Sequence, residues 1–223
     1  MSKTGIFKSS VGRKMAMALS AIFLMIFLLQ HLAINITAVF SEDLFNELSH
    51  FMGTNFLVQF IAQPILVFAV IFHFVMGMYL EQKNKAARPI KYAKYNGAAN
   101  SSWMSRNMLL SGLVILAFLV VHMIDFFFPE INYKYVAFNP EDPNRYYPHL
   151  LEKFSSPVRV LAYCVAFVLL ALHLLHGFGS AFQSIGQNNK YLNRRMKLGT
   201  YYAILVPLGF IVTAIALYVK TLN

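Results

Sequence analysis

The chain has little charge and almost no cysteine. Only 13% of its 223 residues are charged, 58% are hydrophobic, and the mean hydropathy is +0.55. Because an average soluble domain carries about 25% charged residues, this composition excludes an ordinary soluble domain. The single cysteine, Cys164, excludes an internal disulfide and leaves no set of thiolates for a metal site.

The sequence instead has five apolar stretches long enough to cross a bilayer, which takes about 20 residues. They cover about residues 15–40, 56–80, 107–128, 157–185 and 198–219. Pro64 and Pro207 lie inside two of them, where membrane helices tolerate proline. The first stretch is too long for a cleavable signal peptide. No linker, internal repeat or low-complexity segment separates a second folded unit. We therefore predict an all-α membrane protein in which five transmembrane helices form one domain over residues 1–223.

Basic residues are distributed unevenly among the connections. Four precede the first span, six lie between the second and third spans, and four lie between the fourth and fifth. On the opposite side of the membrane, four basic residues lie in the third connection and one follows the last span. The positive-inside bias therefore predicts a cytoplasmic N-terminus and a C-terminus outside. The net charge of +10 suits anionic headgroups or a partner protein, and basic loops this close to membrane spans do not indicate nucleic acid.

Five of the seven histidines lie inside predicted spans, where ionisable side chains are expensive and usually mark function. Four of them lie on different helices at similar distances from the helix start. Because helix direction alternates, depth sorts them into an outer pair, His31 with His122, and an inner pair, His73 with His173. At 1.5 Å per residue, the two pairs lie roughly 15 Å apart along the membrane normal.

Two pairs of neutral imidazoles in a helical bundle favour two b-type haems, since each haem iron takes two axial ligands from the protein. His73 and His173 are each followed four residues later by glycine, Gly77 and Gly177, which leaves room beside a flat porphyrin. The lack of a CxxCH motif excludes covalent attachment of haem. The alternative use of these histidines is a proton relay in a haem-free transporter.

The chain resembles a known family, the dihaem cytochrome b subunit of succinate:quinone oxidoreductases. In this type of subunit one polypeptide carries both haems. The resemblance rests on the five-helix plan, on QHLAIN in the first helix, on HxxxG in the second and fourth, and on SSVGRK before the first. It implies a subunit of a succinate dehydrogenase in the bacterial inner membrane. Such a subunit links the tricarboxylic acid cycle to the respiratory chain.

The resemblance also implies the cofactors and partners. Flavoprotein and iron–sulfur subunits would bind on the cytoplasmic side, and electrons would pass through two haem b groups to or from a quinone, usually menaquinone. The proximal haem would be held by His73 and His173, and the distal haem by His31 and His122. Succinate chemistry, flavin and clusters belong to the partners, since this chain has no cysteine set for clusters and no dinucleotide fingerprint.

Weaker candidates surround these ligands. His176 could replace His173 as a ligand or lie beside the same haem. Near the inner haem, the possible propionate contacts are Ser10, Arg13 and Lys14, which could also serve only to anchor the first helix. The candidates for a quinone site are Asp125, His50, Glu42, Asp43 and Glu47. Asp125 could equally be an interfacial residue that pairs with a base, and His50 a solvated loop residue.

One position departs from the family pattern. Some fumarate reductases of this type carry a glutamate two residues before the ligand in the fourth helix, and this chain has Ala171 there. Their compensating proton path is therefore not expected here, although Glu152 could serve another route. Electron transfer without such a path would work with or against the membrane potential.

The same histidines would also suit a dihaem anchor of a formate dehydrogenase, hydrogenase or nitrate reductase.

Overall fold

A computed structural model describes residues 9–86, 106–186 and 192–222. The five long helices are α1 (Ser10–Phe40), α3 (Val58–Ala86), α4 (Met108–Val136), α6 (Pro157–Ser184) and α7 (Leu192–Leu222). Two shorter helices are α2 (Glu42–Thr54) and α5 (Tyr146–Phe154). The three described stretches contain no strand. The predicted all-α fold with five helices long and apolar enough to span a membrane is confirmed. The chain is a multi-pass membrane protein.

The helices differ in length from the apolar stretches that predicted them. α1 begins at Ser10 rather than at 15, α3 continues to Ala86, α4 continues to Val136 and α7 covers Leu192–Leu222. Hydropathy detects only the part of a helix that lies in hydrocarbon, whereas the backbone ladder continues through charged residues such as Lys14 and Lys83. The two short helices lie in segments for which the sequence predicted only connections between spans.

Serine residues begin three of these helices. The side chains of Ser9, Ser41 and Ser156 each accept a hydrogen bond from the backbone N–H three residues later, at 2.9, 3.2 and 3.4 Å. Such caps satisfy N–H groups that have no partner within the helix. Glu42 and Asp43 follow the cap of α2, where negative charge is favourable. α6 has proline at its first position, where the missing N–H does no harm.

α3 and α4 are interrupted by π-helical turns. These cover Val58–Ala62 in α3, and Met123–Phe127 and Asn132–Val136 in α4. In the middle one, the N–H of Phe128 bonds to the carbonyl oxygen of Met123, five residues earlier. A π-turn holds more residues per turn than an α-helix, so it rotates the side chains that follow it. This rotation begins directly after His122.

The long helices form a ring of four with one helix outside it. α1, α3, α4 and α6 contact one another in that order around the ring, and α7 packs against α1 and α6. α2 and α5 contact each other across one end of the bundle, here termed the cap end. The opposite end, where α1 begins and α3 ends, is termed the basic end. Among its described residues are Arg13, Lys14, Lys83 and Lys85.

The core lies in two clusters of buried side chains, one toward each end of the bundle. The cap-end cluster includes Phe45, Tyr147, Tyr163, Phe167 and Phe210, and the other includes Ala18, Met25 and Leu174. Many large apolar side chains point outward instead, for example Leu19, Ile26 and Phe68. Exposed apolar faces on membrane-length helices suit a lipid bilayer. Several basic residues that predicted the orientation, such as Lys91 and Lys94, lie outside the described residues.

Candidate functional site

Two pairs of imidazole rings lie between the helices of the four-helix ring. The ring centroids of His31 on α1 and His122 on α4 are 5.7 Å apart. Those of His73 on α3 and His173 on α6 are 6.5 Å apart. The first pair is termed the cap-side pair and the second the basic-side pair. The structure therefore brings each of these histidines next to the partner that helix direction and depth predicted.

Serine hydroxyls hold both rings of the basic-side pair. The hydroxyl oxygens of Ser20 and Ser111 each lie 3.1 Å from Nδ1 of His73 and His173, respectively. Both hydroxyls donate their own proton to the backbone carbonyl three residues earlier, at 2.8 and 2.9 Å. With the hydroxyl proton on the carbonyl, each serine oxygen can accept a hydrogen bond from Nδ1–H, because a hydroxyl has only one proton. Nε2 is then unprotonated in both rings, which is the form that binds a metal.

The glycines of the two HxxxG patterns lie beside methionine methyl groups. A Cβ at Gly77 would lie 3.4 Å from Cε of Met17, and one at Gly177 would lie 3.6 Å from Cε of Met108. The same kind of contact therefore occurs once between α1 and α3 and once between α4 and α6. Methionine is unbranched and flexible, so these side chains can move aside for a ligand more easily than branched ones.

Ser20 and Ser111 were not among the residues predicted for the site, although the sequence contains a signal for them. Each serine follows a methionine by three residues and precedes its helix's histidine, His31 or His122, by eleven. The spacing in α1 is thus repeated in α4, just as the HxxxG spacing of α3 is repeated in α6. The two occurrences are 91 positions apart. Most of the residues between the shared methionine, serine and histidine differ, so the pattern does not stand out as a sequence repeat.

This spacing fixes the distance between the two pairs. Ser20 contacts the basic-side pair, and His31, eleven residues later on the same helix, belongs to the cap-side pair. Ser111 and His122 have the same relation on α4. Eleven residues at 1.5 Å each place the two pairs about 16 Å apart along the helices. The two pairs are separate sites rather than one cluster.

The cap-side pair has a more aromatic environment. Rings within 6.2 Å of one or both imidazoles belong to Phe27, Phe118, Phe126, Tyr163 and Phe210. The hydroxyl of Tyr163 lies 3.5 Å from Nδ1 of His122. The neighbour of His31 is an amide: Nδ2 of Asn35 lies 3.4 Å from Nδ1 and donates to the backbone carbonyl of His31 at 2.8 Å. Aromatic side chains keep water away from both imidazoles.

Asp125 is buried between α4 and α6. Only 2% of its surface is exposed, and both carboxylate oxygens have partners. Oδ1 pairs with the guanidinium of Arg159, and Oδ2 accepts a hydrogen bond from the hydroxyl of Tyr163 at 2.8 Å. The sequence left two roles open for Asp125, a quinone-site residue or a residue that pairs with a base. In the structure Asp125 pairs with a base, Arg159.

A polar pocket of about 390 Å³ opens at the cap end. It is lined by residues of α2, α3, α4 and α5 and of the segment before α5, among them His50, Tyr133, Lys134, Arg145 and Tyr146. Nε2 of His50 pairs with Glu141 at 3.0 Å. Glu130 pairs with Lys134 at 2.5 Å and with Arg145 at 2.6 Å.

Tyr146 can act as a hydrogen-bond donor in this cap-end pocket. Burial, followed by the charge of Glu130, raises the pKa of Tyr146 to about 12, so its phenol stays protonated. The other quinone-site candidates on α2, Glu42, Asp43 and Glu47, are exposed to the surroundings.

The remaining candidates lie toward the basic end. The ring in contact with His73 is that of His173, and His176 lies one turn further along α6, half-buried. Ser10 and Lys14 are exposed. Arg13 lies with its guanidinium carbon 5.8 Å from the ring centroid of Tyr79, which is six residues after His73 on α3. Gln30, beside His31, donates to the thioether of Met52 on α2 at 3.6 Å.

The two pairs fit a haem better than a bare metal ion. Among the residues that the structure describes, no group of three or more histidine, cysteine or acidic side chains could hold an ion. A zinc site needs three or four protein ligands, whereas haem iron in a b-type cytochrome needs only two. Two metal–nitrogen bonds of about 2 Å, with a ring at each end, place imidazole centroids roughly 6 Å apart. The observed 5.7 and 6.5 Å are compatible with that spacing and equally with direct ring–ring contact, so the preference for haem over a bare ion depends on the number of ligands.

No family model, curated protein or solved structure matches the chain. What the two pairs can bind therefore follows from their own chemistry.

Proposed function

We propose that the chain is the membrane-anchor cytochrome b subunit of a succinate:quinone oxidoreductase and binds two haem b groups. The observation that supports this most is the pairing of four imidazoles across a helical bundle. His73 and His173 would bind the proximal iron through Nε2, while Ser20 and Ser111 hold their Nδ1–H groups. His31 and His122 would bind the distal iron.

When bound, each haem would supply reversible one-electron transfer. The hydroxyls of Ser20 and Ser111 would orient the imidazoles of His73 and His173 and keep those two rings in one tautomer. The residues of this chain also surround both sites with apolar and aromatic side chains, which sets a low dielectric and excludes water. Because the pairs lie about 16 Å apart along the helices, they define a route across the membrane from one end of the bundle to the other.

The basic end is the proposed docking surface for the iron–sulfur subunit, which in turn binds the flavoprotein. α1 and α3 present Arg13, Lys14, Lys83 and Lys85 there, and the positive-inside bias assigns this end to the cytoplasm of a bacterial inner membrane. The basic-side pair is the nearer one to this surface. Electrons from succinate oxidation would therefore enter the chain through His73 and His173. The succinate site itself belongs to the partner.

The cap-end pocket is the proposed quinone site, with menaquinone as the expected substrate. Its volume of about 390 Å³ lies within the range of small-molecule sites. Tyr146 offers a polar hydrogen for a quinone oxygen, His50 lies in the same lining with its Nε2 paired to Glu141, and tyrosine rings offer flat apolar surfaces. Tyr133 and Lys134 of this pocket lie on α4, the helix that also carries His122 of the cap-side pair. Asp125 is less suited to quinone because both of its oxygens already have partners.

The test is an absorption and redox titration of the purified protein and of five variants. The unchanged protein is expected to contain two low-spin b haems. His31→Ala and His122→Ala should each remove one of them, and His73→Ala and His173→Ala should each remove the other. His176→Ala serves as the matched control, since it lies on the same helix as His173, and should retain both haems. A loss in the His176 variant with no loss in the His173 variant would reverse the ligand assignment.

The partner is tested by co-purification. A flavin-containing complex in which succinate reduces the haems supports the proposal. A molybdenum- or nickel-containing partner would instead indicate a formate dehydrogenase, nitrate reductase or hydrogenase. A protein without a Soret band would indicate a haem-free transporter and would overturn the haem assignment.

A further inference from the structure

Three residues on α4 and α6 form a chain of polar contacts that ends at the cap-side pair. Arg159 pairs with Oδ1 of Asp125, and the hydroxyl of Tyr163 donates to Oδ2 at 2.8 Å. The same hydroxyl oxygen lies 3.5 Å from Nδ1 of His122, somewhat longer than the usual N–H···O distance of about 2.7–3.2 Å. Asp125 and Tyr163 are almost completely buried, at 2% and 3% exposed. A buried polar group at this depth in a membrane helix calls for a function.

The proton of the Tyr163 hydroxyl determines how this residue acts on His122. Because that proton is bound to Asp125, the phenolic oxygen presents only lone pairs to the imidazole. It therefore accepts a hydrogen bond from Nδ1–H of His122, and Nε2 is left as the metal-binding nitrogen. Arg159 compensates the charge of Asp125, which allows a carboxylate to remain buried there.

Tyr163 differs in one respect from the serines of the basic-side pair. Ser20 and Ser111 donate their protons to neutral backbone carbonyls, whereas Tyr163 donates to a carboxylate. Hydrogen bonds to ionised groups are stronger, and they polarise the bonds next to them. The phenolic oxygen of Tyr163 is thus made a better acceptor. A stronger acceptor at Nδ1–H makes the opposite nitrogen of the imidazole a more basic ligand.

We propose that Tyr163, held by Asp125 and Arg159, is a positioning residue that orients His122 and strengthens Nε2 as a ligand of the distal haem. The proposal rests on the proposed function, since it presupposes haem at the cap-side pair. A more basic ligand stabilises oxidised iron relative to reduced iron. Loss of the Tyr163 hydroxyl should therefore raise the midpoint potential of the distal haem and leave that of the proximal haem unchanged.

The test is a potentiometric titration of both haems in the full chain with its partner subunits, for the unchanged protein and for Tyr163→Phe. We expect the ratio of oxidised to reduced distal haem to change roughly tenfold, which is about 59 mV for one electron. Asp125→Asn should shift the same haem in the same direction, because the neutral amide oxygen is a weaker acceptor and because the positive charge of Arg159 is then uncompensated. The matched control is Tyr202→Phe, whose hydroxyl donates to the carbonyl of Met25; it should shift neither haem.

The outcomes separate this inference from the proposed function. Two bis-histidine haems in the unchanged protein, with no shift of either haem in Tyr163→Phe, would overturn the role of Tyr163 and leave the haem assignment intact. An equal shift of both haems in Tyr163→Phe would also overturn it, since a general loosening of the bundle would then explain the effect. A protein without haem at the cap-side pair would overturn both.

Discussion

The hydroxyls of Ser20, Ser111 and Tyr163, which lie near a ring nitrogen, each donate their own proton to another acceptor. For Ser20 and Ser111 the acceptor is a carbonyl of the same helix, so the backbone itself determines which lone pairs point at the imidazoles. The tautomer of His73 and His173 is consequently set before any ligand arrives. A ligand that needs Nε2 meets two rings that require no proton transfer, which lowers the free-energy cost of binding.

Removal of these hydroxyls tests their role at the scale of single residues. Ser20→Ala and Ser111→Ala leave Nδ1–H of His73 or His173 without its acceptor, so the affinity for the proximal haem should fall about 10- to 100-fold. The measurement is the rate and extent of haem transfer to a haem acceptor protein, followed separately for the two haems.

The matched control for the serine variants is Ser184→Ala. Its hydroxyl also bonds to a backbone carbonyl of its own helix, that of Ser180 at 2.8 Å. This variant is expected to bind the two proposed haems as strongly as the unchanged protein. Equal haem loss in all three serine variants would show that the hydroxyls act on the helices and not on the histidines.

At the scale of elements, the two short helices depend on each other. The preceding residue Arg145 gives α5 no side-chain cap. Asn46 of α2, only 2% exposed, supplies one instead, since its Oδ1 accepts the N–H of Tyr147 at 2.8 Å. Lys220 near the end of α7 donates to the hydroxyl of Tyr147 and to the carbonyl of Ala38, both at 3.3 Å. Tyr147 and Lys220 together thus join α1, α2, α5 and α7 at the cap end.

Asn46→Ala is expected to detach α5 from α2. The buried N–H of Tyr147 would lose its acceptor, which destabilises the cap by about 1–3 kcal/mol. Limited proteolysis from the cap side should then cut the segment before α5 faster than in the unchanged protein. Glu47→Ala, at an exposed position next to Asn46, is the control and should leave the cutting rate unchanged. Equal rates in all three proteins would contradict the capping role of Asn46.

The long helices and the pairing of the histidines could be predicted from sequence because each has a one-dimensional signal. About 20 apolar residues mark a span, and the position of a histidine within a span gives its depth. α2 and α5 have no such signal, since short amphipathic helices at a surface are no more apolar than loops. Tyr163 on α6 contacts Asp125 and His122 on α4, which lie 38 and 41 positions earlier in the chain. Only the packing of α4 against α6 reveals these contacts.

At the scale of the whole molecule, the two ends of the bundle are expected to face different compartments. In a Cys164→Ala background, Lys14→Cys and Glu47→Cys place one thiol at each end, both at exposed positions. The positive-inside bias predicts that a membrane-impermeant maleimide labels the Glu47 variant in intact cells and the Lys14 variant only after lysis. The reverse labelling would invert the orientation and would move the proposed docking surface to the other side.

The spacing of eleven residues between Ser20 and His31, and again between Ser111 and His122, also constrains the bundle as a whole. Since each residue turns an α-helix by about 100°, eleven residues make three turns with an excess of about 20°. α1 and α4 therefore present both levels of the site on one face. Insertion of a single residue between the levels would swing one of them by about 100° and direct its side chain out of the bundle. The distance between the levels can thus change only by about one turn at a time, that is by three or four residues or about 4.5–6 Å.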